Sequence, residues 1–167
     1  MSATDSTVID ISNVRRVVTG HDAEGRSTAF LDAPCTHLRE LAEFPTFRFT
    51  DLWVAKSSPA SNRGNVDEAG GEVDHLPSAG GNILRILEVS PDLPGVDNNE
   101  AGMHATDTLD YVYVLSGTIT CILETGEVDL SRGDVLVQRG TVHAWSNRSN
   151  QPCVMLGVLV DATPAAT

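Results

Sequence analysis

Cysteine, aromatic side chains, positive charge and long apolar runs are all scarce in this chain of 167 residues. The three cysteines, Cys35, Cys121 and Cys153, lie far apart. An odd, scattered set excludes a disulfide framework and supplies no Cys-x-x-Cys pair for metal or redox chemistry. Cys121 and Cys153 sit in apolar stretches, where a thiol serves as a small core residue. Lys and Arg total 11 against 23 Asp and Glu, a net charge of −12. That field repels nucleic acid and anionic membrane surfaces, so neither is expected as a partner. The longest apolar run, Cys153 to Val160, spans eight residues, against the ~20 a bilayer crossing requires. The N-terminal Met-Ser-Ala-Thr-Asp-Ser-Thr has no basic-then-apolar signal pattern, and a soluble, cytoplasmic protein is the expectation. Nucleophile elbow, phosphate loop, zinc-helix and dinucleotide motifs are also missing.

What is present is strand signal. The apolar fraction of 41% is that of a globular protein, and the length suits one structural domain. Val14–Thr19, Ser27–Leu31 and Phe47–Ala55 read as strands, with a turn at His21–Gly25 between the first two. Thr36–Glu43 is the best helical candidate, one or two turns ending before Pro45. Residues 56–82 are rich in Gly, Ser and acidic side chains, too polar to be core, and form a long loop that is either mobile or a lid. From Ile83 onward strands follow closely: Ile83–Val89, Asp110–Leu115, Thr118–Leu123, Glu127–Leu130, Val135–Gln138, His143–Asn147 and Val154–Val160. Glu124-Thr125-Gly126 reads as a hairpin turn with Gly126 at a positive φ. The pattern predicts an antiparallel all-β sandwich or barrel over residues 83–161, an extension over 1–82 and a tail over 162–167.

Two short motifs carry the chemistry. The first runs Gly102-Met103-His104-Ala105-Thr106 through Asp110 to Gly117. The second runs Gly133-Asp134 through Gln138-Arg139-Gly140 to His143 and Asn147. Strand alternation puts Asp110, Val112 and Val114 on one face and Tyr111 and Tyr113 on the other. It also groups His143, Trp145 and Asn147. A carboxylate beside two valines is costly to bury unless it is paired, hydrogen-bonded or bound to a cation. An imidazole beside a Trp is the mixture expected of a small-molecule pocket. Arg139 is read as a solvated surface arginine, and His21, His37 and His75 as loop or turn residues.

These motifs resemble the paired motifs of the cupin superfamily, over about Ile83–Val160. The resemblance implies a double-stranded β-helix (jelly-roll) barrel, here with extra N-terminal strands and one short helix. His104, Asp110 and His143 fall at ligand positions, while Thr106 stands where the family has a second His, Asp110 where it has Glu, and Gln138 where it has Pro. The implied ligand set is therefore His104, Asp110 and His143, suited to divalent Fe, Mn, Zn or Ni. Thr106, Val112, Val114, Gln138 and Trp145 are expected around it, and no organic cofactor is.

Three functions remain open at this point. One is a metal-dependent enzyme acting on a small, hydrophobic, oxygenated metabolite of aromatic or polyketide-like type, an oxygenase, lyase or isomerase. Another is a metal-free dehydratase, isomerase or cyclase using His and Asp as acid and base. The third is a binding or sensing module without turnover. A homodimer is the expected assembly.

Overall fold

The computed structural model describes residues 9–42, 44–71, 74–95 and 102–165. Eleven strands account for most of them: β1 (Val14–His21), β2 (Ser27–Cys35), β3 (Leu38–Leu41), β4 (Phe44–Ala55), β5 (Asn82–Val89), β6 (Thr108–Ser116), β7 (Thr118–Leu123), β8 (Gly126–Ser131), β9 (Val135–Arg139), β10 (His143–Ser146) and β11 (Cys153–Asp161). All pairings are antiparallel. The main sheet has the order β3-β4-β5-β11-β6-β9, a second sheet the order β10-β7-β8, and β1 and β2 form a separate hairpin. Such a two-sheet arrangement is a jelly-roll barrel, and the strand expectation holds throughout the chain. No helix of the described residues is long and apolar enough to cross a membrane.

Inward-facing side chains of the two sheets fill one end of the barrel. Val89, Val114, Ile119, Cys121, Leu130, Cys153 and Met155 form that core. Alternation along β6 decides which residues reach it. Asp110, Val112 and Val114 are 8%, 7% and 0% exposed, whereas Tyr111 and Tyr113 are 46% and 42% exposed. Both cysteines expected in the core are buried.

Two of the extra N-terminal strands, β3 and β4, are part of the main sheet. β4 pairs with β5 along its length, Phe47 opposite Val89 and Asp51 opposite Arg85. The expected short helix at Thr36–Glu43 is instead the strand Leu38–Leu41, with Leu38 opposite Thr50 and Arg39 opposite Phe49; Glu43 lies outside the described residues. An isolated helix of that length is unstable, while pairing with β4 satisfies the backbone and lets Leu38 pack on the cluster of Ile11, Ile86 and Val154.

The 56–82 stretch is also more anchored than its composition suggests. A 3-10 turn at Glu68–Gly70 buries Ala69 against Val54 and Ile83. Asp67 holds the turn by capping Ala69 N–H and pairing with Arg16. A small side chain at 69 lets a polar loop contribute to the core, which the composition of the segment conceals.

Two motif glycines are fixed by geometry. Gly117 has a φ of +78°, and a Cβ there would stand 2.7 Å from the Pro152 carbonyl oxygen. Gly140 has a φ of +61°, with the Thr106 carbonyl oxygen 3.2 Å from where a Cβ would be. Gly126 is different: the turn is the pair Glu124-Thr125, Gly126 opens β8 opposite Leu123, and its φ is not positive.

Candidate active site

Beside the packed core the barrel holds a cavity of about 550 Å³, with Val112 and Met155 of the core in its lining. Among its polar side chains are Arg85 on β5, Asp110 on β6, Gln138 on β9, and His104 and His143 on a short bridge. Its apolar wall is built largely by β3 and β4, through Leu41, Phe44, Phe47 and Phe49. The sequence assigned that wall to an extension outside the barrel motifs. Phe44, Leu76 and Leu93, each exposed, form an apolar rim.

His104 and His143 are brought together by backbone. Each residue's N–H donates to the other's carbonyl, at 3.0 and 2.9 Å, and the rings lie 4.5 Å apart between centroids. His104 is exposed and His143 buried, with Trp145 edge-on to the His143 ring at 5.8 Å. His104 Nδ1 sits 2.8 Å from the Gly102 carbonyl oxygen, and His143 Nδ1 sits 3.0 Å from that of Thr141. A carbonyl only accepts, so in the neutral rings Nδ1 carries the hydrogen and Nε2 is left with its lone pair. Gln138 supports this arrangement: its Nε2 donates to Thr141 O at 3.0 Å and also bonds the Thr141 hydroxyl. Its amide thus pins the turn that leads into His143 and is not extended as a ligand.

Asp110 is buried opposite Gln138, and its Oδ1 has no hydrogen-bond partner. Burial pushes the Asp110 carboxyl above its ordinary 3.8, favouring the protonated acid. Burial acts the other way on His143, lowering it below 6.5 and favouring the neutral imidazole. Thr106 spends its hydroxyl on Thr108, 2.8 Å away.

Most of the expected site residues converge: His104, Thr106, Asp110, Val112, Gln138, His143 and Trp145 all line the cavity. Val114 does not. It is fully buried in the packed core one residue pair deeper along β6, where Met155 lies opposite it. Among the described residues, no three of His, Cys, Asp and Glu stand close enough together to hold a metal ion. The paired Nε2 lone pairs and the unpartnered Asp110 oxygen are suitable donors, but the expected trio is not assembled as a ligand set. Arg139 is exposed, as read from the sequence.

The sequence missed three contributors. His75 lines the cavity and meets the Phe49 ring edge-on at 6.1 Å, although its loop context gave no hint of this. Arg85 and Asp51 are paired inside the barrel, with Arg85 Nε donating to Asp51 Oδ1 at 3.0 Å. An isolated Arg within the apolar run Ile83–Val89 was the one available signal.

An antiparallel jelly-roll barrel with a His-and-carboxylate cavity at one end defines the class. The Cupin domain family model matches residues 94–159. Two phomopsin biosynthesis cluster proteins of Diaporthe leptostromiformis, C' and D, are each 33% identical over 147 residues, covering 84% of this chain and 74% of theirs. The cupin-domain-containing oxidoreductase fogC of Aspergillus ruber is 32% identical over 160 residues, covering 92% of this chain and 75% of its own. The corresponding oxidoreductase virC of Hypocrea virens is 30% identical, covering 89% and 76%. This chain belongs to the cupin family.

Proposed function

We propose that the protein is an enzyme that moves a proton on a small, hydrophobic, oxygen-bearing metabolite of aromatic or polyketide-like type. The observation carrying this reading is that His143 and Asp110 face one apolar cavity while burial favours the neutral form of each. Neutral His143 is a base with a free Nε2; protonated Asp110 is an acid. A base and an acid that burial favours in their neutral forms, facing one substrate, are the working parts of acid–base catalysis.

For a substrate with a carbonyl, His143 Nε2 takes a proton from the adjacent carbon. The electron pair moves into the carbonyl, and the new enol oxygen receives a hydrogen bond or a proton from Asp110. Returning the proton to another carbon gives isomerisation. Expelling a β-hydroxyl as water gives dehydration, and attack on a second carbonyl gives cyclisation. His104, its ring tilted against that of His143 with centroids 4.5 Å apart, is placed to relay the proton towards the exposed rim. The names borne by the relatives, from biosynthesis clusters and cupin-domain oxidoreductases, support a role in small-molecule metabolism.

Those oxidoreductase names favour a second reading, a redox reaction at a divalent metal. It draws on the two free Nε2 atoms but asks for a third donor that no described residue provides in place.

Deuterium exchange separates the two. In D2O, 2-tetralone and 2-acetylnaphthalene should exchange the hydrogens next to the carbonyl faster with the protein than without it. His143→Gln should lower that rate by about 10²–10⁴-fold, the usual share of a general base. Chelator should leave it unchanged. Exchange indifferent to His143→Gln, or abolished by chelator and restored by one metal, would contradict the proton-transfer reading.

A further inference from the structure

Arg85 is 7% exposed in its side chain and lines the cavity, yet it is not fully satisfied. Its Nε donates to Asp51 Oδ1 at 3.0 Å and its Nη1 to the His75 carbonyl oxygen at 3.1 Å. Nη2 also lies 3.0 Å from Asp51 Oδ1, but without hydrogen-bond alignment, and among the described residues it has no acceptor. A guanidinium has five N–H donors and no way to lose its charge, so buried donors without acceptors are costly.

The charge around it is also unbalanced. Asp51, fully buried, is shared between two arginines: Arg85, and Arg39, whose Nε lies 3.1 Å from Asp51 Oδ2. One negative and two positive charges leave the cluster with one unit of surplus positive charge. The remaining carboxyl of the cavity, Asp110, lies within electrostatic reach of Arg85 but forms no ion pair or hydrogen bond with it among the described residues.

Space beside Arg85 is left open in the same row of the sheet. Gly157 on β11 stands between Arg85 and Val112, and has no side chain to fill the floor. The Arg85 guanidinium carbon stands over the Phe49 ring, 4.2 Å from its centroid, a cation–π contact that helps fix the head. A fixed, planar, buried guanidinium with a spare donor edge suits a carboxylate above other ligands. One surplus charge matches a carboxylate and falls short of a phosphate dianion.

We propose that Arg85 is the anchor for a substrate carboxylate, so that the ligand class is an apolar, ring-bearing carboxylic acid bound with its anion on Arg85. The phenylalanines of β4 cover the ring. This rests on the proposed cavity function but names its substrate class independently of the proton-transfer chemistry. Arg85 is a binding and specificity residue in this account.

Calorimetric titration of the wild-type protein with 2-naphthoate and with its uncharged isostere 2-naphthamide tests the proposal at pH 8. The carboxylate is expected to bind at least about tenfold more tightly, a difference of about 1.4 kcal/mol. Arg85→Met should remove that preference. Arg85→Lys, which keeps the charge beside Asp51, should retain part of it. Equal or weaker binding of the carboxylate by the wild type would overturn the proposal, as would no binding of either probe at millimolar concentration. If Arg85→Met fails to fold, the wild-type pair of titrations still decides. The outcome is distinct from that of deuterium exchange: loss of the carboxylate preference leaves His143 chemistry standing, and loss of exchange leaves the anion site standing.

Discussion

Asp110 is a residue whose burial works against the fold at neutral pH. Its carboxyl is pushed up by burial, so the folded state favours the protonated form. Its stabilising contribution is therefore complete below the ordinary 3.8 and lost as pH rises through the raised value. Asp110→Asn keeps the shape and removes the ionisation. We expect a melting temperature a few degrees above wild type at pH 7, each kcal/mol being worth about 2–4 °C in a chain of this size. The gain should vanish at pH 4, as thermal melts at the two values would show. His143 has the opposite sign: its contribution is present above the ordinary 6.5 and is lost as pH falls through its lowered value. The same shift shapes activity. The rate of exchange should rise with pH through the His143 value, below 6.5, as the ring loses its proton.

At the scale of elements, the site is a product of register. Thr118–Leu123 and the two motif strands were legible because alternation and glycine spacing are local signals. The inward row Asp110, Val112, Val114 followed from period two alone. The depth at which the core ends and the cavity begins did not, which is why Val114 was placed one layer too far out. That boundary depends on which side chains the opposite sheet and β4 supply, and these lie far away in sequence. The same reason hid Arg85: a lone basic residue in an apolar strand becomes meaningful only once β4 sets Asp51 beside it. Leu38–Leu41 was misread because two leucines three apart fit a helical turn as well as a strand edge. Gly117 offers a test of the element-level account. Gly117→Ala forces a positive φ on a side chain and pushes a Cβ into the Pro152 carbonyl. A loss of about 1–3 kcal/mol is expected, read from urea denaturation. A variant as stable as wild type would contradict the tight β6–β7 turn.

For the whole molecule, the outer face of the main sheet ends in an uncovered apolar block. Tyr111 lies opposite Val137 and Tyr113 opposite Val135, all four exposed, and β9 is the edge strand. Apolar patches at a sheet edge mark contact surfaces, and we propose a second copy of the chain as the occupant. Sedimentation should give a dimer for the wild type, and Val137→Asp should shift it to monomer with its melting behaviour otherwise preserved. The barrel thus divides its labour: a packed core, a cavity beside it with β3 and β4 in its wall, and the tyrosine face outside.

The central claim is that His143 stands as a neutral base with its Nε2 free, in an apolar cavity. Nitrogen-15 NMR of the imidazole rings, assigned with His143→Gln, measures this directly through charge, tautomer and ligation at once. At pH 7 the account predicts a neutral His143 ring protonated at Nδ1, with a free Nε2 whose shift is unchanged by chelator. A ring positively charged at pH 7, or an Nε2 shift that reports a bound metal and moves when chelator is added, would contradict it.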